Sequence, residues 1–179
     1  MTVNIGSDFI DGQNISLRAL SRENLTVYTR WVNTSKNRKY IPYQFPTTIE
    51  ERTHWLEAVE DDPAHTKIIF EIWHKADGLP VGYIQLHDIS WIHRRAEIGI
   101  LIGEYAYWGK GIGQEAVQLI SRYAFEELNI RKVKAIVEHK NVRSRKIFEK
   151  IGFTLEATLK AEDYFNGEYI DTCIYTLFH

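Results

Sequence analysis

The sequence predicts one α/β (α+β) domain in which a mixed central β-sheet is flanked by helices. Three observations carry that prediction. Segments whose apolar residues alternate with polar ones are interspersed with segments of helical period. Two strand pairs are joined by hairpin turns, Asp77-Gly78 and Asn166-Gly167. The 179 residues, 44% apolar and 26% charged, suit a single domain over 1–179 that buries roughly 70% of the surface its unfolded chain exposes, so it needs no disulfide or structural metal.

Residues 1–12 read as a flexible or peripheral lead-in. Ile15, Leu17 and Ala19 alternate with Ser16 and Arg18, the pattern of a half-buried strand, which stops at the helix-start signal Ser21-Arg-Glu-Asn24. Leu25, Tyr28 and Val32 then recur at helical spacing. The segment 33–47 holds Pro42, Pro46 and three aromatics without a period, so it reads as a structured loop able to shape a pocket. Thr48-Ile-Glu-Glu51 is a capping box, and Trp55, Leu56 and Val59 form the inner face of the helix behind it. Residues 67–73 and 81–89 are β-rich and meet at Asp77-Gly78, and 96–102 returns as a further strand. Ala116, Ile120, Ala124 and Leu128, with Val117 and Tyr123 beside them, predict an amphipathic helix over 114–128. Val133, Ala135 and Val137 alternate with Lys132, Lys134 and Glu138 in another strand. Asn141 can cap a short helix that Gly152 ends, and the tail is a hairpin about Asn166-Gly167. The predicted order is β-α-α-β-β-β-α-β-α-β-β.

Composition removes several function classes. With 22 Lys plus Arg against 24 Asp plus Glu, the net charge of −2 lacks the basic excess of a nucleic-acid binder. No apolar run reaches the length of a membrane span, and the N-terminus has neither the basic start nor the apolar stretch of a secretion signal, so the chain reads as cytoplasmic. Cys173 stands alone in an apolar stretch and reads as a small buried hydrophobe. The seven histidines show no zinc-site spacing, and no metal site is expected. Edge strands and exposed aromatics permit a homodimer or higher homo-oligomer without requiring one.

One segment carries a specific chemical meaning. In Tyr107-Trp-Gly-Lys-Gly-Ile-Gly-Gln114 three glycines lie between a strand and a helix, where bare backbone and a helix start together cradle an anion. A dinucleotide fingerprint would have glycine at 114, and a Walker loop would have Gly-Lys-Ser/Thr before the helix; neither is present. The hairpin-rich strand order also argues against a doubly wound nucleotide domain.

One helix and one strand downstream comes Asn141-Val-Arg-Ser-Arg-Lys-Ile-Phe-Glu-Lys-Ile-Gly-Phe153. With this pair of segments the chain, over about residues 13–178, resembles the general-control-related N-acetyltransferases (GNAT superfamily). Arg94-Arg-Ala-Glu-Ile-Gly99, Tyr107-Trp-Gly-Lys-Gly111 and Tyr123-Ala-Phe-Glu-Glu-Leu128 are most similar to the ribosomal-protein N-terminal and spermidine acetyltransferase subgroup. The resemblance implies a GNAT-like acyl-CoA fold with acetyl-CoA as co-substrate. Leu101, Ile102 and Gly103 would offer backbone groups to the acetyl carbonyl and pantetheine, between strands 96–102 and 132–138 that splay apart. Gly109, Lys110, Gly111, Ile112, Gly113 and Gln114 would surround the pyrophosphate, with Trp108 at a position that is Gln or Arg in many relatives. Asn141 would reach the pantetheine while capping its helix, with Ser144 one turn on.

Acetyl transfer needs a neutral amine, and an alkylamine has a pKa of about 10.4, so a base is required. Glu97 is the first candidate, its alternative being a carboxylate paired with Arg94 or Arg95; His87 on the neighbouring strand is the second. Many relatives carry a tyrosine as general acid where this chain has Phe148, which leaves Ser144, a water or another group for that step. The acceptor is a small-molecule or peptide amine: a protein N-terminus, a polyamine or an amino sugar. It would enter between the loop 33–47, the first two helices and the hairpin about 164–169. Glu50, Glu51, Glu57, Glu60, Asp61 and Asp62 read as a solvated helix face rather than a polyamine pocket. The competing expectations are a catalytically silent acyl-CoA-binding module and an acyltransferase of the same fold with another acyl group.

Overall fold

The computed structural model describes residues 7–41 and 45–179. Among the described residues eight strands form one sheet: β1 (Ile10–Asp11), β2 (Ile15–Ala19), β3 (Ile68–His74), β4 (Leu79–Ser90), β5 (Arg95–Ile102), β6 (Lys132–Glu138), β7 (Thr154–Phe165) and β8 (Glu168–Phe178). Their spatial order is β1-β2-β3-β4-β5-β6-β8-β7, and every pair is antiparallel except β5 with β6. The helices are α1 (Leu25–Asn33), α2 (Ser35–Arg38), α3 (Ile49–Glu60), α4 (Ile112–Glu126) and α5 (Val142–Ile151).

The expected order is present, with two additions. Residues 10–11, expected in a peripheral lead-in, pair with β2 as an edge strand, and α2 is a helical turn inside the segment expected to be irregular. Pro42 and Tyr43 of that segment lie outside the described residues. The amphipathic helix begins at Ile112 rather than 114, because left-handed Gly111 (φ 84°) is already its N-cap, and it ends at Glu126 ahead of left-handed Asn129. Among the described residues no helix is long and apolar enough to cross a membrane.

Strand alternation divides the apolar residues between two faces. Ile84, Leu86, Ile98, Val133 and Val137 point to the face covered by α4 and α5, where they meet Ala116, Val117 and Ile120 in the main core. Tyr83 and Leu101 point the other way, into a smaller cluster with Tyr28, Trp31 and Val32 of α1. Each fully buried side chain of this size contributes about 1.5–3 kcal/mol. Cys173 is fully buried on β8, as expected.

Polar contacts set the helices on the sheet. The Tyr28 hydroxyl and the Asn24 amide both donate to Glu71 on β3, at 2.6 and 2.7 Å, pinning the start of α1. Burial pushes the Glu71 carboxyl up, against the pull of those two donors. Glu115 in the first turn of α4 accepts from the Asn14 backbone and side chain, both at 2.9 Å, tying that helix to the turn before β2. Thr48 and Glu51 close the expected capping box on α3, and Asn141 and Gly152 bound α5 as expected.

The sheet is interrupted at its centre. β5 and β6 share three rungs, Arg95–Lys132, Ala96–Val133 and Glu97–Lys134, and then part. β5 stays with β4 as far as Ile102–Gly82, and β6 stays with β8 as far as Glu138–Thr172. Between Ile98–Ile102 and 135–138 the sheet is a wedge whose facing edges have no ladder partner in each other.

Candidate active site

The wedge opens into a cleft of about 1160 Å³ that runs from Glu97 at its apex to the glycine loop and α5 at its mouth. Glu97, His87, Leu101, Ile102, Trp108, Gly109, Gly111, Ile112, Gly113, Gln114, Asn141 and Ser144 all line it, so most residues singled out from sequence converge. Two do not. Gly103 is turned away: its N–H donates to the Val81 carbonyl at 2.9 Å, its carbonyl accepts from the Asn37 amide at 2.9 Å, and a Cβ there would lie 2.2 Å from the Trp31 ring. Lys110 is exposed beside the loop, its ammonium 5.1 Å from the Tyr107 ring centre.

The loop is built to leave backbone bare. Gly109 (φ 77°) and Gly111 (φ 84°) are left-handed, and the space where a Cβ would stand is open at both. No side chain caps the start of α4, so its first amides face the cleft mouth without an intrahelical acceptor, at the positive end of the helix dipole. Trp108 walls the loop: its indole N–H donates to the Ile102 carbonyl at 2.7 Å, and Tyr105 and Tyr40 rings lie 5.1 and 5.9 Å away. The Arg143 guanidinium sits 4.9 Å from the Trp108 ring centre, and Lys146 also lines the cleft. Unpaired strand edges, free helix-start amides and basic side chains at the mouth fit a molecule that carries amides along an arm and phosphates at its end. Acetyl-CoA has that chemistry.

At the apex, His87 and Glu97 are register partners on β4 and β5. The His87 Nε2 lies 3.6 Å from Glu97 Oε1, and its Nδ1 lies 2.9 Å from Asp88 Oδ2. Glu97 is 9% exposed, and its other oxygen meets the Lys134 ammonium at 2.9 Å. The expected alternative partners are elsewhere: Arg94 donates to the Asn129 carbonyl. Ligand-type atoms of His87, Asp88 and Glu97 lie within 4.8 Å of one another, with the Lys134 charge supplying the positive partner of Glu97. Gly99, next along β5, leaves room for Gln85 to lie across the strand. Phe148 lines the cleft, packed against Phe153 and Tyr175, and has no proton to give; Ser144 holds its N–H on Asn141 Oδ1 at 3.1 Å.

The six carboxylates about α3 are absent from the lining of this cleft. Arg22 pairs with Glu57 and Glu60, Glu51 belongs to the capping box, and Asp62 accepts from Thr66. Other carboxylates take their place, Glu138 on β6 and Asp163 on β7, together with Asn37 of α2. Glu138 was legible, since it shares a strand face with Lys134; Asp163 and Asn37 depend on a β-bulge and on a helical turn that no sequence pattern marks.

The family model described as an acetyltransferase (GNAT) domain matches residues 14–154. The chain is 31% identical over 166 residues to the spermidine N(1)-acetyltransferase of Escherichia coli (strain K12), covering 90% of this chain and 86% of that protein. Over 161 residues it is 30% identical to the spermidine N(1)-acetyltransferase of Vibrio cholerae serotype O1, covering 88% of each. Its fold superposes with a TM-score of 0.84 on the crystal structure of spermidine N-acetyltransferase from Vibrio cholerae in complex with CoA and spermine, at 25% identity, over 93% of this chain and 96% of that one.

Proposed function

The chain belongs to the GNAT acetyltransferase family and is an acetyl-CoA-dependent N-acetyltransferase, and from that premise we propose that its acceptor is a primary amine of an aliphatic polyamine. The observation that carries the reading is the wedge between β5 and β6, with a glycine cradle at its mouth and a buried carboxylate at its apex. Likeness to spermidine acetyltransferases over most of both chains supports the choice of amine.

The thioester supplies an acyl group already activated for attack; the protein supplies position and proton transfer. Amides at the start of α4, with Arg143 and Lys146, hold the phosphates. Free ladder groups of β5 hold the pantetheine as an added strand, and a β5 amide faces the charge that develops on the acetyl oxygen. Glu97, directly or through a water, takes the proton that the ammonium must lose, with His87 beside it to pass the proton outward. Phe148 lines the cleft and cannot protonate the thiolate, so Ser144 or solvent returns the proton.

Free-thiol release from acetyl-CoA in the presence of spermidine, with the product identified by mass, tests the reading. Spermidine-dependent release of CoA with one acetyl added to the amine is expected. Acetyl-CoA binding without thiol release on any amine would defeat it.

A further inference from the structure

We propose that Glu138, with Asp163 beside it, receives a second ammonium of the acceptor and thereby selects amines with two or more charges over monoamines. This rests on the polyamine reading and assigns the residues that would enforce it.

Lys134, Ile136 and Glu138 alternate onto one face of β6. The first meets Glu97 at the apex of the wedge; the last stands four residues farther, about 13 Å along the strand. Opposite Glu138 on β8 is Thr172, whose hydroxyl donates to Asp163 Oδ2 at 2.6 Å. A register shift between Leu159 and Asp163 swings the end of β7 inward, so Asp163, Tyr164 and Phe165 complete that wall of the cleft. Two carboxylates thus line one cleft from the strands on either side of β8.

Neither has a cation. Among the described residues the Glu138 carboxylate makes no hydrogen bond and no ion pair, and the Asp163 carboxylate has only the Thr172 hydroxyl. Four basic side chains of the adjoining elements are engaged elsewhere. Lys134 pairs with Glu97, Lys140 with Glu168 and Lys160 with Asp171, while Arg145 is held by the Tyr175 hydroxyl and the His139 carbonyl. Burial and the Asp163 charge both push the Glu138 carboxyl up, and a cation placed beside it would offset both. Glu97 differs in kind, since Lys134 already balances it.

A second, independent feature of the same cleft calls for a hydrogen-bond donor. Asn37 is 1% exposed, and its amide nitrogen is spent on the Trp31 and Gly103 carbonyls. Among the described residues its Oδ1 has no partner, a buried acceptor that an N–H of the ligand would satisfy. Tyr164 and Phe165 offer apolar surface to the methylenes between nitrogens.

The test compares 1,8-diaminooctane with octylamine, equal in length and differing by one charge, for the wild type, Glu138→Gln and Asp163→Asn. For the wild type the ratio of kcat/KM should favour the diamine. Glu138→Gln should lower that ratio by about tenfold, chiefly through the KM of the diamine, as expected for loss of one charge-assisted contact. Asp163→Asn should act in the same direction, and circular dichroism checks that both variants are folded. An unchanged ratio in both variants overturns the subsite while leaving the acetyltransferase reading intact. Failure of the wild type to acetylate either amine or spermidine while still binding acetyl-CoA would instead overturn the polyamine reading itself.

Discussion

Glu97 and Lys134 face each other across the last rung that β5 and β6 share, with a carboxylate oxygen 2.9 Å from the ammonium. Beyond this pair the strands diverge, so one ion pair closes the apex of the wedge and orients the carboxylate proposed as the base.

Lys134→Met should leave the Glu97 carboxylate without its cation and lower stability by about 1–3 kcal/mol in urea denaturation. The double variant with Glu97→Gln should recover part of the loss, with a coupling of at least about 0.5 kcal/mol. Strict additivity would mean that the two groups do not hold the apex together.

Glu97→Gln keeps the shape of the side chain and removes its capacity to take a proton. Turnover should fall by about a hundredfold, the usual contribution of a positioned base, while acetyl-CoA affinity by calorimetry stays within about twofold. An unchanged pH–rate profile would remove Glu97 as the base.

Gly111→Asp should weaken acetyl-CoA binding by at least about tenfold. The substitution strains a left-handed position and sets a negative charge in the loop proposed to cradle the phosphates. Calorimetric titration reads it, and wild-type affinity would refute the cradle.

Trp108→Phe removes the indole N–H that holds the Ile102 carbonyl and thins the wall against Tyr105 and Tyr40. The KM for acetyl-CoA should rise about threefold to tenfold, with a smaller change in kcat. A lower kcat at unchanged KM would instead place Trp108 in the chemistry.

Glu115 gives a pH signature. Burial pushes its carboxyl up, but the Asn14 and Ile15 donors pull harder, and its pKa ends below the ordinary 4.5. A lowered folded pKa contributes stability above the unfolded value and loses it as pH falls through the folded one. Glu115→Gln should therefore be less stable than the wild type at pH 7, by about 1–2 kcal/mol, with the gap closing as pH falls below the ordinary carboxylate value and through the lowered folded one. A gap independent of pH would mean that the carboxylate charge does not matter there.

Features that depend on near neighbours were legible. Thr48 and Glu51 announce their capping box, Asn141 and Gly152 bound their helix, and Gly109 and Gly111 mark the left-handed loop. Each conformation is settled within about four residues, where one side chain or its absence decides the backbone. The apolar stretches around them likewise placed Cys173 in the core and Glu97 on a strand. Family resemblance added the splay of two strands and the identity of the cradle's ligand.

What touches what across the sheet was not legible. Glu97 meets Lys134 rather than Arg94 or Arg95, because parallel register brings together residues far apart in sequence. Gly103 looked like a continuation of the cofactor edge, yet the Trp31 ring and the Asn37 amide enclose it, and Asn37 itself gave no sign in a segment without period. The bulge that carries Asp163 beside Glu138 follows from how the last hairpin bends over the cleft. By itself the sequence determined most of the elements, their order and the glycine loop, since these rest on local sterics and periodic burial; the short β1 and α2 carried no such pattern. The tertiary structure alone decided which charges are neutralised and which, among the described residues, are left without a cation, because a charge's partner is set by sheet register and strand divergence, over distances no local pattern records.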